Sequence, residues 1–365
     1  MRFSMTLSAY IGRQFTVWVL GSFAAILAIV FLLDLIELLR RGSGKANADF
    51  AVLLEMALLK LPNMAQQIMP FAVLFGSMLA FTRLTRTNEL VVARAAGVSV
   101  WQFMMPALLV ALVLGGIKVS VLNPISSVLI ERFHALENTV LRNRADSFLS
   151  VGTAGLWIRE RDASRQIVLN AQTARQDEAR LGGLMVLIFD SDDRFQRRID
   201  ARQAILDDGS WILNGVVVTT AQNKPERRDQ VRLPTNLTIE NIQDSFASPE
   251  TMSFWELPGF IEVLESAGFS AVKHRLYWHA QLASPLLMTA MVLIAATFSL
   301  RLTRRGNTLF WASVGLGFGF LLYFLSDIVF ALGLSARIPE VLAAWTPATV
   351  TMLLGMTSLL HLEDG

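Results

Sequence analysis

The sequence predicts an α-helical membrane protein with six transmembrane helices and an inserted β-jelly-roll-like domain. Three observations carry that class. Hydrophobic residues make up 53% of the chain and charged residues only 17%, where an average soluble protein has about 45–50% and about 25%. The charges are also crowded: residues 142–275 hold 36 of them, a soluble density, and the other 231 positions share 26. Finally, the apolar runs on either side are each roughly 20 residues long, enough to cross a ~30 Å hydrocarbon core. Residues 1–141 and 276–365 are therefore membrane regions, and 142–275 is a domain in water.

The first span runs from Phe15 to about Leu39. It is longer than a signal-peptide core and has no small-residue cleavage site behind it, so it is expected to remain as an anchor. The second apolar stretch, Phe50–Leu84, carries Pro62 and Pro70. It is expected to divide into an amphipathic part (Phe50–Leu61) and, after a kink, a span over 62–84. The third span is Trp101–Leu122, ended by Asn123-Pro124. Leu276–Leu300, Thr308–Gly333 and Val341–Leu362 complete the set.

Positive charge in the short loops orients the spans. With the N-terminus inside, inner segments carry Arg2, Arg13, Arg83, Arg86, Arg94, Arg301, Arg304 and Arg305; outer short loops carry Arg40, Arg41, Lys45 and Arg337. Both termini are thus expected in the cytoplasm, with the inserted domain on the far side. That domain reads as β: 155–159, 166–169, 184–189, 211–219 and 231–242 are short β-prone runs. Asp207-Asp-Gly209 and Lys224-Pro225 are turn signals between them. Their spacing suggests a sandwich or jelly roll. Residues 249–275, with a helical 260–267, form the return path. Asn236-Leu-Thr238 matches a glycosylation pattern but sits in a strand-like run.

Several chemistries are excluded. A net charge of +2 does not point to nucleic acid. There is no cysteine, and His134, His274, His279 and His361 lack metal-ligand spacing. Gly44-Lys45 is followed by Ala46 where a phosphate-binding loop needs Ser or Thr, and Leu39 stands where its first glycine belongs. Hydrolase motifs are missing as well. The chain is expected to bind no cofactor and not to be an enzyme; if it uses ATP, another subunit binds the nucleotide and its magnesium.

The stretch between spans two and three is the most informative. Thr87 or Asn88 can cap a helix, and Glu89 then lies in its first turn, where the dipole favours a carboxylate. Leu90, Val91, Val92 and Ala95 supply an apolar surface, and Gly97 ends the helix near Ser99, which can cap the next. Such a helix either lies in the lipid interface or docks into another protein's groove.

The run Asn88-Glu-Leu-Val-Val-Ala-Arg-Ala-Ala-Gly-Val-Ser99 resembles the cytoplasmic coupling helix of the lipopolysaccharide-export permeases, the LptF/LptG family. Tyr10-Ile-Gly-Arg13, Gly317-Phe-Gly-Phe-Leu-Leu-Tyr-Phe-Leu-Ser-Asp327 and Ile338-Pro339 resemble its G-type branch, and the three-span, β-domain, three-span layout agrees. The resemblance implies six helices with a periplasmic β-jelly-roll in the bacterial inner membrane. It also implies pairing with an F-type paralogue over a dimeric cytoplasmic ABC ATPase. Lipopolysaccharide would pass to a periplasmic jelly-roll bridge protein with a single-span membrane anchor. By the same resemblance Glu89 sits in the ATPase groove, flanked by Arg86 and Arg94, with Leu90 and Gly97 completing the coupling site.

Arg40, Arg41 and Lys45 follow span one on the outer side, and Lys60, Lys118 and Arg132 fall near outer helix ends. Each alone could snorkel to headgroups; as a group they suit the phosphates and acidic sugars of lipopolysaccharide. The family resemblance places basic ligands at the end of span one and on span three's extension, here Arg40, Arg41, Arg132 and His134. Asp34 stands where G-type relatives tend to have a lysine. Gly315 and Gly319 in span five form a small-residue motif for helix packing, which the family resemblance extends to a partner interface or lateral gate, and Asp327 is an intramembrane carboxylate expected to avoid lipid. A secondary transporter or a periplasmic-sensing receptor would fit the layout, but neither accounts for Glu89 and its helix.

Overall fold

The computed structural model describes residues 5–45, 48–142, 147–152, 155–162, 165–175, 180–190, 194–207, 209–220, 224–235, 248–266, 268–300 and 308–364. They belong to two compact units. One comprises Met1–Leu136, Ser253–Trp255 and Arg275–Gly365; the other comprises Glu137–Met252 and Glu256–His274. The helices in chain order are α1 (Met5–Gly42), α2 (Phe50–Arg86), α3 (Glu89–Ala95), α4 (Val100–Ile117), α5 (Asn123–Leu136), α6 (Leu257–Ser266), α7 (Val272–Ser299), α8 (Thr308–Leu334) and α9 (Glu340–Asp364). Among the described residues six helical stretches are long and apolar enough to cross a membrane: Thr6–Gly42, Phe50–Arg86, Val100–Leu141, Val272–Ser299, Ser313–Leu334 and Glu340–His361.

In the helical unit, α2 is one continuous helix through Pro62 and Pro70, and its first three turns are the stretch expected to stand apart. Asp49 caps it, accepting from Phe50 N at 2.8 Å. A proline inside a membrane helix removes one hydrogen bond without breaking the helix where neighbouring helices hold it.

The third span also continues past its expected end. A π-helical turn, Lys118–Leu122, lets Asn123 N bond the Lys118 carbonyl five residues back, and α5 follows directly. Asn123 is fully buried here. It donates from Nδ2 to Tyr277 Oη at 3.2 Å and accepts from Phe254 N at 2.7 Å. The residue that reads as a stop is a junction between α5, α7 and the segment before α6.

Two glycines set the closest helix approaches to backbone. A Cβ on Gly76 would lie 2.4 Å from Val19 Cα, and one on Gly115 would lie 2.4 Å from Pro285 Cα. Only glycine permits α1 against α2, and α4 against α7, at those separations.

The second unit holds seven strands: β1 (Ser147–Gly152), β2 (Gly155–Asp162), β3 (Arg165–Arg175), β4 (Arg180–Asp190), β5 (Phe195–Asp207), β6 (Ser210–Thr220) and β7 (Glu226–Pro234). All pair antiparallel, in the order β1-β2-β3-β4-β5-β6-β7. This is the inserted sheet domain that the sequence predicts, and its described strands form a meander without the Greek-key crossings of a usual jelly roll. Ile167, Leu169, Leu184, Val186, Ile199, Trp211 and Leu213 face a core closed by Leu264 of α6 with Phe269 and Ala271. Buried positions along β4, β5 and β6 step by three at one line, 181 to 184, 201 to 204 and 213 to 216. Gly183 and Gly215 lie on that line at φ 62° and 65°, left-handed values that glycine adopts without strain and that switch which residues face the core. The predicted run 231–242 is described only to Thr235, so Asn236 and Thr238 lie outside the described residues.

Candidate functional site

At the C-terminal end of α2, Thr87 closes the helix: its N–H reaches the Arg83 and Thr85 carbonyls. Asn88 then adopts φ 58°, a left-handed value that asparagine tolerates better than most residues, and its carbonyl accepts from Val92 N at 3.0 Å. The reversal starts α3 at once. α3 ends as tightly: Ala96 N bonds Val92 O at 3.0 Å and Val98 N bonds Ala93 O at 3.0 Å. Gly97 sits at φ 80° between those donors, the left-handed position at which helices commonly stop. Ser99 caps α4 by accepting from Gln102 N at 3.3 Å.

α3 is thus a seven-residue helix held between two reversals. Leu90 is 1% exposed and Ala93 9%, and Leu90 belongs to the subunit's own core with Phe81, Leu84, Val100 and Phe103. Val92 is 67% exposed, and Arg86, Ala95 and Gly97 are exposed too. Of the apolar surface read from sequence, Leu90 is the anchor and Val92 and Ala95 are the part on offer. Glu89 is half-buried. Its Oε1 lies 2.8 Å from Thr87 Oγ1 and 3.3 Å from Tyr10 Oη. Arg94 lies on α3, and its side chain is outside the described set.

At the other end of α1 the basic residues are interleaved with acids. Arg40 grips Glu37 through two bonds of 2.9 and 2.8 Å, on a side chain that remains 77% exposed. Glu37 is also within electrostatic reach of Arg41 and Lys60. Lys60 donates to Asp34 Oδ1 at 2.5 Å and lies 5.5 Å above the Phe133 ring, tying α2 to α1 and α5. His134 meets Phe133 edge-on, with centroids 5.4 Å apart. Arg132 is exposed on α5, Lys118 is 9% exposed, and Lys45 N bonds Gly42 O at 3.1 Å in the turn after α1. Asp34, Lys60, Phe133 and His134 are brought together, while Arg40 and Arg41 stand beside Glu37. The acidic partners are what sequence reasoning missed. Glu37 and Arg40 at i,i+3 were readable as a helix pair; Asp34 and Lys60 meet across two helices and left no local signal.

A family model described as "Lipopolysaccharide export system permease LptF/LptG" matches residues 9–361, which takes in both units and all six apolar helices. The chain belongs to the LptF/LptG family. Curated relatives place it on the LptG side. The lipopolysaccharide export system permease protein LptG of Escherichia coli (strain K12) is 24% identical over 369 residues, covering 97% of this chain and 98% of that protein. LptG of Haemophilus influenzae (strain ATCC 51907 / DSM 11121 / KW20 / Rd) is 24% identical over 370 residues, covering 96% of each.

In this LptG-like chain the small residues of α8 are used internally. A Cβ on Gly315 would meet Met78 Cε at 2.6 Å, and one on Gly319 would meet Leu74 Cδ2 at 2.3 Å. Both glycines therefore seat α8 on α2. Gly317 between them has nothing within 4 Å and lies on the open side of α8, with Phe320, Phe324 and Ile328 exposed further along it. Asp327 is exposed on α8.

Proposed function

We propose that this chain is the G-type transmembrane subunit of an ATP-driven exporter that extracts lipopolysaccharide from the inner membrane and passes it to a periplasmic bridge. Family membership gives it the role of a multi-pass inner-membrane transport subunit in lipopolysaccharide export. In our reading the ATP and magnesium are bound by a dimeric cytoplasmic ABC ATPase, because this sequence has no phosphate-binding loop of its own. Both termini lie in the cytoplasm and the sheet domain in the periplasm, where it meets the bridge protein and its single-span anchor. An F-type paralogue completes the membrane pair.

The observation that carries the reading is the build of α3. Leu90 and Ala93 pin it to the helical unit, Val92 and Ala95 are exposed on the opposite side, and the half-buried Glu89 stands in its first turn at the flank. A short helix that is fixed from behind and apolar in front, with one carboxylate, suits a groove with a basic residue in it. At the outer end, Arg40 and Arg41 suit phosphates, since an exposed pair such as Arg40–Glu37 exchanges partners at little cost. Asp327, exposed on an apolar face, calls for a cation from the paralogue.

The test is recovery of tagged protein from native membranes in mild detergent, with mass spectrometry of the co-purifying chains. A soluble ATPase and a second six-span chain are expected. Glu89→Lys should lose the ATPase and keep the second chain. Recovery of this chain alone, from membranes that contain both partners, would overturn the exporter reading.

A further inference from the structure

The acceptor of two hydroxyl contacts on α3 has a consequence for α1. Glu89 Oε1 faces both Thr87 and Tyr10; Oε2 accepts no bond among the described residues. The two hydroxyls are not equivalent. Thr87 Oγ1 also lies 3.0 Å from the Arg83 carbonyl, and its single proton serves one acceptor or the other. Tyr10 Oη has Glu89 as its one acceptor among the described residues. Thr87 is the closer donor but belongs to the same turn as Glu89; Tyr10, 79 positions away in sequence, is the contact that ties this carboxylate to α1.

Tyr10 is not an isolated contact. Gln14 Oε1 accepts from Arg83 Nη1 at 3.4 Å, and the Arg83 guanidinium lies 5.8 Å over the Trp18 ring. Tyr10, Gln14 and Trp18 are spaced i, i+4, i+8, one stripe of α1. The adjacent stripe, Ile11, Phe15 and Val19, is buried in the core. From Leu20 to Glu37 no residue of α1 is buried; burial returns at Leu38 and Gly42, beside the Asp34–Lys60 pair. α1 is thus gripped at its two ends and lightly held between them. Tyr10 and Asp34 are about 36 Å apart along it at 1.5 Å per residue.

We propose that Tyr10 is the positioning residue of the docking carboxylate: it holds Oε1 of Glu89, leaves Oε2 for a basic side chain of the ATPase, and ties α3 to α1. This rests on the docking role of α3 proposed above. At 3.3 Å the Tyr10 bond is long for two oxygens.

The test uses the permease pair in nanodiscs with the purified ATPase, and reads docking affinity and lipopolysaccharide released per ATP hydrolysed. Tyr10→Phe keeps the ring and removes only the hydroxyl. It should leave the melting temperature of the pair unchanged and weaken docking roughly three- to tenfold, the worth of one hydrogen bond. It should also lower lipopolysaccharide released per ATP at saturating ATPase, which a purely local packing role would not move. In a Glu89→Ala background, Tyr10→Phe should have no further effect, because it acts through that carboxylate. Parent-like affinity and yield for Tyr10→Phe, with Glu89→Ala impaired, would overturn the positioning role and leave docking at α3 standing; so would an equal loss from Tyr10→Phe in both backgrounds. Unimpaired docking by Glu89→Ala would overturn the docking reading and this inference together.

Discussion

Leu90 and Val92 are two positions apart on α3 and face opposite ways, one into the core at 1% exposure and one into solvent at 67%. Leu90→Ala should destabilise the protein by about 2–5 kcal/mol, the range for truncating a packed leucine, measured by unfolding of the purified pair. Val92→Asp should change stability by no more than about 0.5 kcal/mol while sharply reducing recovery of the ATPase. The reverse pattern would place the contact face of α3 on Leu90's side. The same two-sidedness marks the limit of what was legible. Apolar residues in the run 90–95 told of a short apolar helix, but a helix of seven residues shows too little periodicity to say which side its neighbours claim. Lys60 shows the limit again: its basic charge was plain, and its partner Asp34 lies 26 positions away on another helix.

Among the elements, the spans were legible because length and hydropathy set them, and α3 because its caps and its glycine are local signals. The elements missed are those that tertiary context decides. The π turn lets α4 run on through Pro124, and the fully buried Asn123 is held by Tyr277 and Phe254, neither visible from its neighbours in sequence. β5 went unread because its buried residues are Ile199, Ala201 and Ala204 among arginines and aspartates, a pattern without the usual β-branched alternation. The glycine motif at 315 and 319 stood out by spacing, yet the glycines with backbone against them are Gly76 and Gly115. Gly76→Ala and Gly115→Ala should each cost about 1–3 kcal/mol or more, because a Cβ there meets main chain that has no rotamer to give. Gly21→Ala and Gly116→Ala, with nothing within 4 Å, should be near neutral. Gly319→Ala should be milder than Gly76→Ala, since it meets the tip of Leu74. Thermal unfolding of the five variants in one detergent ranks them.

Across the whole molecule the two candidate sites lie at opposite ends of α1. Tyr10 touches the Glu89 carboxylate near the N-terminal end, and Asp34, Glu37, Arg40 and Arg41 form a mixed-charge C-terminal end. In the function we propose, energy enters at one of these ends and cargo is held at the other, and a single helix joins them. Damage to one end should then leave the other competent. The most direct measurement is a paired assay on native membranes: lipopolysaccharide crosslinked to this chain, and ATPase recovered with it, for Glu89→Lys and for Arg40→Gln with Arg41→Gln. The account predicts that Glu89→Lys loses the ATPase and retains lipopolysaccharide crosslinking. The arginine pair should retain the ATPase and lose crosslinking by roughly threefold or more, as charge-assisted contacts to phosphate are removed. Full ATPase recovery with Glu89→Lys, or unchanged crosslinking in the absence of both arginines, would contradict it.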